Sequence, residues 1–420
     1  MKRLLQSIGP ALIVAAVVLG PGSILTSSKV GASFGLVGVP IIIGAAILMI
    51  AMVALSARLG VVYESSLCDE LAARLGRGVT ILIGLILFTL VALFQSSNNI
   101  AIIGGLEPLI TEETLSSSAR VVVLIAFNAV ILGILYRMRD LYRFIEKLMK
   151  FLIAFMCAAF VVNFLLVLFN PPDFEPVRPT GSPDLIPLLG MIGTTFSVGG
   201  AFYQAYLVKE RGWGMGDVRK GMLDSMVSIS VLGIITVIIL LTAWRTFYGM
   251  PGGVTLASVG DVARQLEPLF GSGARYIFAG GILAGALSSF LVNAMIGGTV
   301  MSDALGKGSR LNDRWPVHLT ALALLVGMMV AIASLVQEGS TVLLITFAQA
   351  LTVLGIPALA AALIYLGTRK ELSGDRKTPK PILILATIGL IVSLVLAGLT
   401  ASKVYAKMNS PELAEVAQTS

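Results

Sequence analysis

The chain has 420 residues, 56% of them hydrophobic and only 13% charged, with a mean hydropathy of +0.93. Soluble domains carry about 25% charged residues, so the composition excludes one and points to a helical protein that crosses a bilayer many times. The net charge of +7 then reads topology rather than nucleic-acid binding, and two cysteines, Cys68 and Cys157, exclude a disulfide framework or a thiolate metal centre.

The chain opens with Lys2-Arg3 and an apolar run, as a signal peptide does. The run continues through a polar break at Gly20-Pro21-Gly22-Ser23, so it is read as a first span. Ten further spans follow, centred near Met52, Val91, Ala126, Cys157, Ser197, Gly233, Leu287, Val326, Leu354 and Ile391. Placing the N-terminus inside assigns 22 of the 30 Lys and Arg to cytoplasmic segments. An odd number of spans puts the tail outside. The expected product is a multi-pass plasma-membrane protein with one transmembrane domain over 1–403 and an external tail over 404–420. The Pro-rich stretch from Asn170 to Asp184 reads as an external connector, and Val254 to Phe270 as an amphipathic external helix.

Pro21 removes a backbone donor and the glycines beside it weaken the helix. In a bilayer the freed groups must find protein, water or a ligand. Ser23, Thr26, Ser27 and Ser28 make the stretch after the break polar, although a lone kink packed on its neighbours is the simpler alternative. A second break, Ser197-Val198-Gly199-Gly200, lies in the sixth span. Interruptions in the first and sixth spans imply five-plus-five inverted repeats, about 8–169 and 185–368, with an accessory helix at about 381–403.

These residues resemble the Nramp family of divalent-metal transporters, which share the LeuT-like fold. Gly20-Pro21-Gly22-Ser23, Thr26, Gly31-Ala32 and Phe34-Gly35 follow the family's D-P-G-N…T…G-A-x-F-G pattern. Ala57-Arg58-Leu59-Gly60-Val61-Val62 is similar to the end of its second span, and Gln349 stands eight residues before Pro357 as in its Q-x7-P pattern. The resemblance implies a secondary transporter working by alternating access, nominally for a metal cation. It also implies departures. The family's metal-binding Asp falls on Gly20 and its Asn on Ser23. Its sixth-span Met falls on Ser197 and two following His on Gly199 and Gln204. The third-span acids associated with proton passage fall on Asn98 and Ala101, while Gln349 is kept.

The residues themselves agree that a soft-metal site is absent. Transition metals want thiolate, thioether or imidazole ligands, and the single histidine, His318, reads as an interface residue. No Asp or Glu is expected near a midplane; Glu64, Asp224 and Asp303 read as solvated or capping acids near cytoplasmic ends. A cation would have only Ser23, Gln349 and the backbone carbonyls of Gly20 and Ser197, and the positive end of the second half-helix opposes it. Free amides at that end suit a carboxylate or phosphate. Gly20 is expected to leave volume, and Phe202, Tyr203 and Gln204 to line an organic solute. Asn98 and Asn293 either extend the cavity or hydrogen-bond between helices. Lys29 either snorkels to the outer surface or sets a fixed charge there.

Three functions follow. One is a carrier of a metal cation or of a small neutral or zwitterionic organic solute. Another is an uncoupled channel or sensor. The third, an intramembrane enzyme, lacks paired acids, a Ser-Lys arrangement and a His-based motif. No nucleotide-binding G-x4-G-K-[ST] is present, so neither pumping by this chain nor a cofactor is expected. The expected partners are the bilayer and the transported solute.

Overall fold

The computed structural model describes residues 9–110, 115–138, 140–170, 185–250, 256, 260–263, 271–336 and 355–408. Among them there is no strand. The chain runs through α1 (Pro10–Val18), α2 (Pro21–Phe34), α3 (Gly38–Val62), the short α4 (Leu67–Leu75), α5 (Arg77–Ile110), α6 (Ser117–Arg137) and α7 (Leu141–Phe169). It continues through α8 (Ile186–Thr195), α9 (Val198–Glu210), α10 (Val218–Phe247), α11 (Ser272–Ala304), α12 (Arg314–Val336), α13 (Gly355–Gly367) and α14 (Lys380–Met408).

Nine helical stretches among the described residues are long and apolar enough to cross a membrane. The stretch Pro21–Val62 has 42 residues. As one helix it would run about 63 Å, twice the hydrocarbon thickness. Gly35, at φ +62, turns the chain there, a conformation that side chains avoid, and α2 and α3 are separate crossings. With α13 as the described part of the tenth, these stretches account for the eleven expected spans. Helix α14 runs on to Met408, past the expected end at 403. The connector at 171–184 and most of the expected external helix at 254–270 lie outside the described residues.

The packing carries the inversion. Helix α2, the second half of span one, packs on α10, and α9, the second half of span six, packs on α3. Helix α1 also touches α9, whereas α2 touches α8. The half that comes first in span one therefore lies at the depth of the half that comes second in span six. Helix α11 is buried along most of its length among α5, α7, α12 and α1.

Close approach of α2 to α10 depends on Gly31. A Cβ there would strike the Leu240 carbonyl, the Trp244 amide and the Ala243 side chain. Two of these are backbone and cannot yield by rotamer change. Gly31→Ala should lower stability in detergent by about 1–3 kcal/mol, the cost of overpacking. A thermal midpoint unchanged from the parent would show that the two helices separate freely.

Candidate functional site

The break in span one has a local cause. In span one, α1 ends with the Leu19 amide on the Ala15 carbonyl at 3.0 Å, and Pro21 opens α2 at its first position, where its missing N–H is harmless. Gly20 between them is extended, at φ −74 and ψ 175. In span six, Phe196 and Ser197 leave helical geometry between α8 and α9.

The breaks meet at one cavity. Its wall includes Gly20 and Ser23 from span one and Thr194, Ser197, Gly199 and Gly200 from span six. Asn293 of α11 adds an amide, and Leu87, Leu90, Val91, Phe94, Ile296, Ile356 and Leu359 supply hydrocarbon. The cavity offers about 80 Å³ to the centres of water-sized molecules, several times the roughly 10–15 Å³ that one water needs. Among the described residues no ionisable side chain lines it. Among the described residues no cluster of three or more His, Cys, Asp or Glu could hold a metal ion.

Four of the expected site residues thus come together: Gly20, Ser23, Ser197 and Gly199. Asn98 and Gln204 are not in the wall. Asn98 donates to Gln95 Oε1 at 2.5 Å, and Gln95 donates to the Phe290 carbonyl at 2.6 Å. Asn128 of α6 donates to Asn99 Oδ1 at 2.7 Å. This set ties α5, α6 and α11 together. Gln204 is fully buried, and neither of its side-chain polar atoms has a partner among the described residues. Gln349 lies outside the described residues. Phe202 and Tyr203 are fully buried away from the cavity wall, so they do not line it as expected; the Phe202 carbonyl accepts from Ser56 of α3 at 3.2 Å. His318 is exposed, 2.9 Å from the Tyr136 hydroxyl.

Gly20 does not leave the expected free volume. A Cβ on it would lie 2.5 Å from Ser289 Oγ, 2.9 Å from Ser289 Cβ and 3.2 Å from the Val17 carbonyl. Ser289 fills that space because it is needed there. Its hydroxyl donates to Val17 O at 3.3 Å, Ser288 donates to Ala16 O at 3.3 Å, and Asn293 donates to Ser289 Oγ at 2.9 Å. Two of the carbonyls freed at the end of α1, those of Ala16 and Val17, are thus satisfied by protein hydroxyls.

Of the three acids expected to be solvated or capping near cytoplasmic ends, Glu64 is exposed, whereas Asp224 and Asp303 are buried capping groups. Asp224 of α10 is fully buried and accepts from the Gly9 and Ala11 amides at 2.9 and 2.8 Å, closing the start of α1. Glu146 and Arg211 pair beside it. Every residue of α1 is buried. Asp303 of α11 accepts from Ser66 and Tyr206 hydroxyls, each at 2.6 Å, and from the Cys68 amide at 3.2 Å. Burial, with Asp303 beside it, pushes the Cys68 thiol well above its usual range, so it is an inert packing group. Nothing in the sequence pairs Asp224 with a backbone 213 residues away.

The family profile Nramp, described as natural resistance-associated macrophage protein-like, matches residues 11–402. The chain belongs to the Nramp family. Among curated relatives, a divalent metal cation transporter MntH of Nostoc sp. is 23% identical over 95% of this Nramp chain and 90% of its own length. The MntH of Yersinia pestis is 25% identical over 95% of each. Among solved structures, the manganese transporter of Eremococcus coleocola superposes with a TM-score of 0.77 at 18% identity, covering 100% of this chain and 91% of that one. The nucleobase-cation-symport-1 transporter MHP1 superposes at 0.60 with 13% identity, covering 94% and 93%. At those identities the likeness establishes the LeuT-like fold. The multi-pass membrane character agrees with the apolar helices described above.

Proposed function

We propose that this Nramp chain is a secondary carrier that works by alternating access, with a small organic solute bound at the two helix breaks. The observation that carries the reading is the convergence of both breaks on one cavity whose wall, among the described residues, holds hydroxyls, an amide and hydrocarbon but no ionisable group. A desolvated dication in such a wall would lack the carboxylates or soft ligands it needs. Repeats about 8–169 and 185–368 supply the two bodies that rock, and residues 381 onward the accessory helix. The relatives' names favour a second reading, a divalent metal cation held with its water by Ser23, Gln349 and the carbonyls of Gly20 and Ser197.

Uptake into proteoliposomes separates the two. Manganese uptake should stay unsaturated through the micromolar range; saturable micromolar manganese transport would replace the solute reading with the metal one. Proton coupling along Gly20, Asn98 and Ala101 is not expected, because none of these side chains titrates.

The orientation places Gly9 on the cytoplasmic side and the tail outside, as the basic residues indicate. A Ser420→Cys variant should label with an impermeant maleimide in intact cells. Labelling only after permeabilisation would reverse this orientation.

A further inference from the structure

Each helix break creates two ends, one with free carbonyls and one with free amides. At the carbonyl end of α1, Ala16 and Val17 accept from Ser288 and Ser289 and Ala15 from the Leu19 amide, while Val18 accepts from nothing among the described residues. At the end of α8, the Thr194 hydroxyl donates to the Met191 carbonyl at 3.2 Å and the Phe196 amide to Ile192 at 2.8 Å.

The amide ends are left open. In α2 the Ser23 and Ile24 amides turn back to the Gly20 carbonyl at 3.0 and 3.2 Å, and in α9 the Ala201 amide turns back to Ser197 at 3.1 Å. The amides of Gly22, Gly199 and Gly200 have no acceptor among the described residues. Helices α2 and α9 have 14 and 13 residues, long enough for a developed positive end. Independently of the helix ends, the Ser23 hydroxyl is 2% exposed, lines the cavity and has no partner among the described residues. A buried hydroxyl without a partner is costly unless a ligand supplies one.

We infer that the cavity takes a solute bearing a carboxylate, seated on the Ser23 hydroxyl and the amide ends of α2 and α9, with its apolar part against Leu87, Val91, Phe94 and Ile296. This deepens the organic-solute reading above and rests on it. A cation meets the wrong sign at both ends. A neutral amide can use the hydroxyl but gains little from the helix ends. The carboxylate belongs to a simple acid or to an amino acid.

The test is equilibrium binding to the full chain in nanodiscs. The probes are acetate, 4-methylpentanoate, phenylacetate, alanine, leucine and phenylalanine, each beside its primary amide. Manganese chloride is a separate arm. At least one acid or amino acid should bind about tenfold or more tightly than the matched amide, the weight of one charge-assisted hydrogen bond. Binding by simple acids as well as amino acids assigns an acid cargo, and by amino acids alone a zwitterion.

Ser23→Ala should weaken the carboxylate about tenfold or more and the amide several-fold less, because a hydrogen bond to a charged group is about twice as strong as a neutral one. Val198→Pro, which removes the first amide of α9, one with no acceptor among the described residues, at the N1 position where proline is tolerated, should weaken the carboxylate about tenfold and the amide little. Acid and amide binding equally, or both variants weakening acid and amide alike, overturns the carboxylate assignment while leaving a carrier of neutral solutes standing. Binding of manganese alone overturns the solute reading itself. Silence from every probe overturns both.

Discussion

Asp224→Asn should open the Gly9 end of the bundle and raise the reactivity of α1 from that side by an order of magnitude or more. The carboxylate is fully buried and accepts the first two amides that α1 can offer, since Pro10 has none. Anion and helix N-terminus attract each other, and a hydrogen bond to a charged group contributes about 1.5–3 kcal/mol. Under the proposed alternating access α1 would leave this seat, so weakening it would shift the population toward the state open at this end, by roughly 10- to 150-fold for that range. In a background with Cys68 and Cys157 replaced, Val14→Cys reports the change, because Val14 is fully buried in this structure. Impermeant maleimide should label it at least about tenfold faster when Asp224→Asn is added. Asp224→Ala should go further, leaving two buried amides without an acceptor. Identical labelling rates in parent and both variants would mean that Asp224 only packs and does not latch.

The second large effect concerns Gly20. Adding a carboxylate by Gly20→Asp should fail to create a manganese site and should destabilise the protein by about 1–3 kcal/mol or more. Its Cβ would collide with Ser289, and its charge would sit against the Val17 carbonyl. Gly20→Asp combined with Ser289→Gly removes the collision and releases the Val17 carbonyl as a further oxygen ligand. The double variant should recover most of the lost stability and show a rise in thermal midpoint with added manganese. The parent and the single variant should show none. If the single variant were as stable as the parent, or bound manganese as well as the double one, Ser289 would not be the residue that closes the position.

The break in span one was legible because Pro21 and Gly20 act through their own backbone, with no need of neighbours; the break in span six was legible only in its neighbourhood, since the chain leaves helical geometry at Phe196 and Ser197 while Gly199 and Gly200 are helical. The span count was legible because about 20 apolar residues are required wherever the chain crosses. What depended on partners was not. Asp224 and Asp303 carry the same signal as any acid near a helix end; tertiary packing removed their water and gave them amides and hydroxyls to accept. Gly20 looked like free space because the sequence does not say that Ser289 faces it. Asn98 and Asn293 read alike, yet one joins an interhelical amide set and the other reaches the cavity. The roles of Phe202 and Tyr203 were misread for the same reason, since their helix turns them toward α3 and the core.

The left-handed turn at Gly35 gives the two halves of the first span unequal freedom. Helix α2 is joined to α3 through the short turn Gly35–Val37, and both lie along α10. Helix α1 is attached to α2 only through Leu19 and Gly20. Local opening of the first span is therefore a one-sided event: peptides covering 10–18 should exchange backbone deuterium on the timescale of turnover, while those covering 21–34 exchange only with global unfolding.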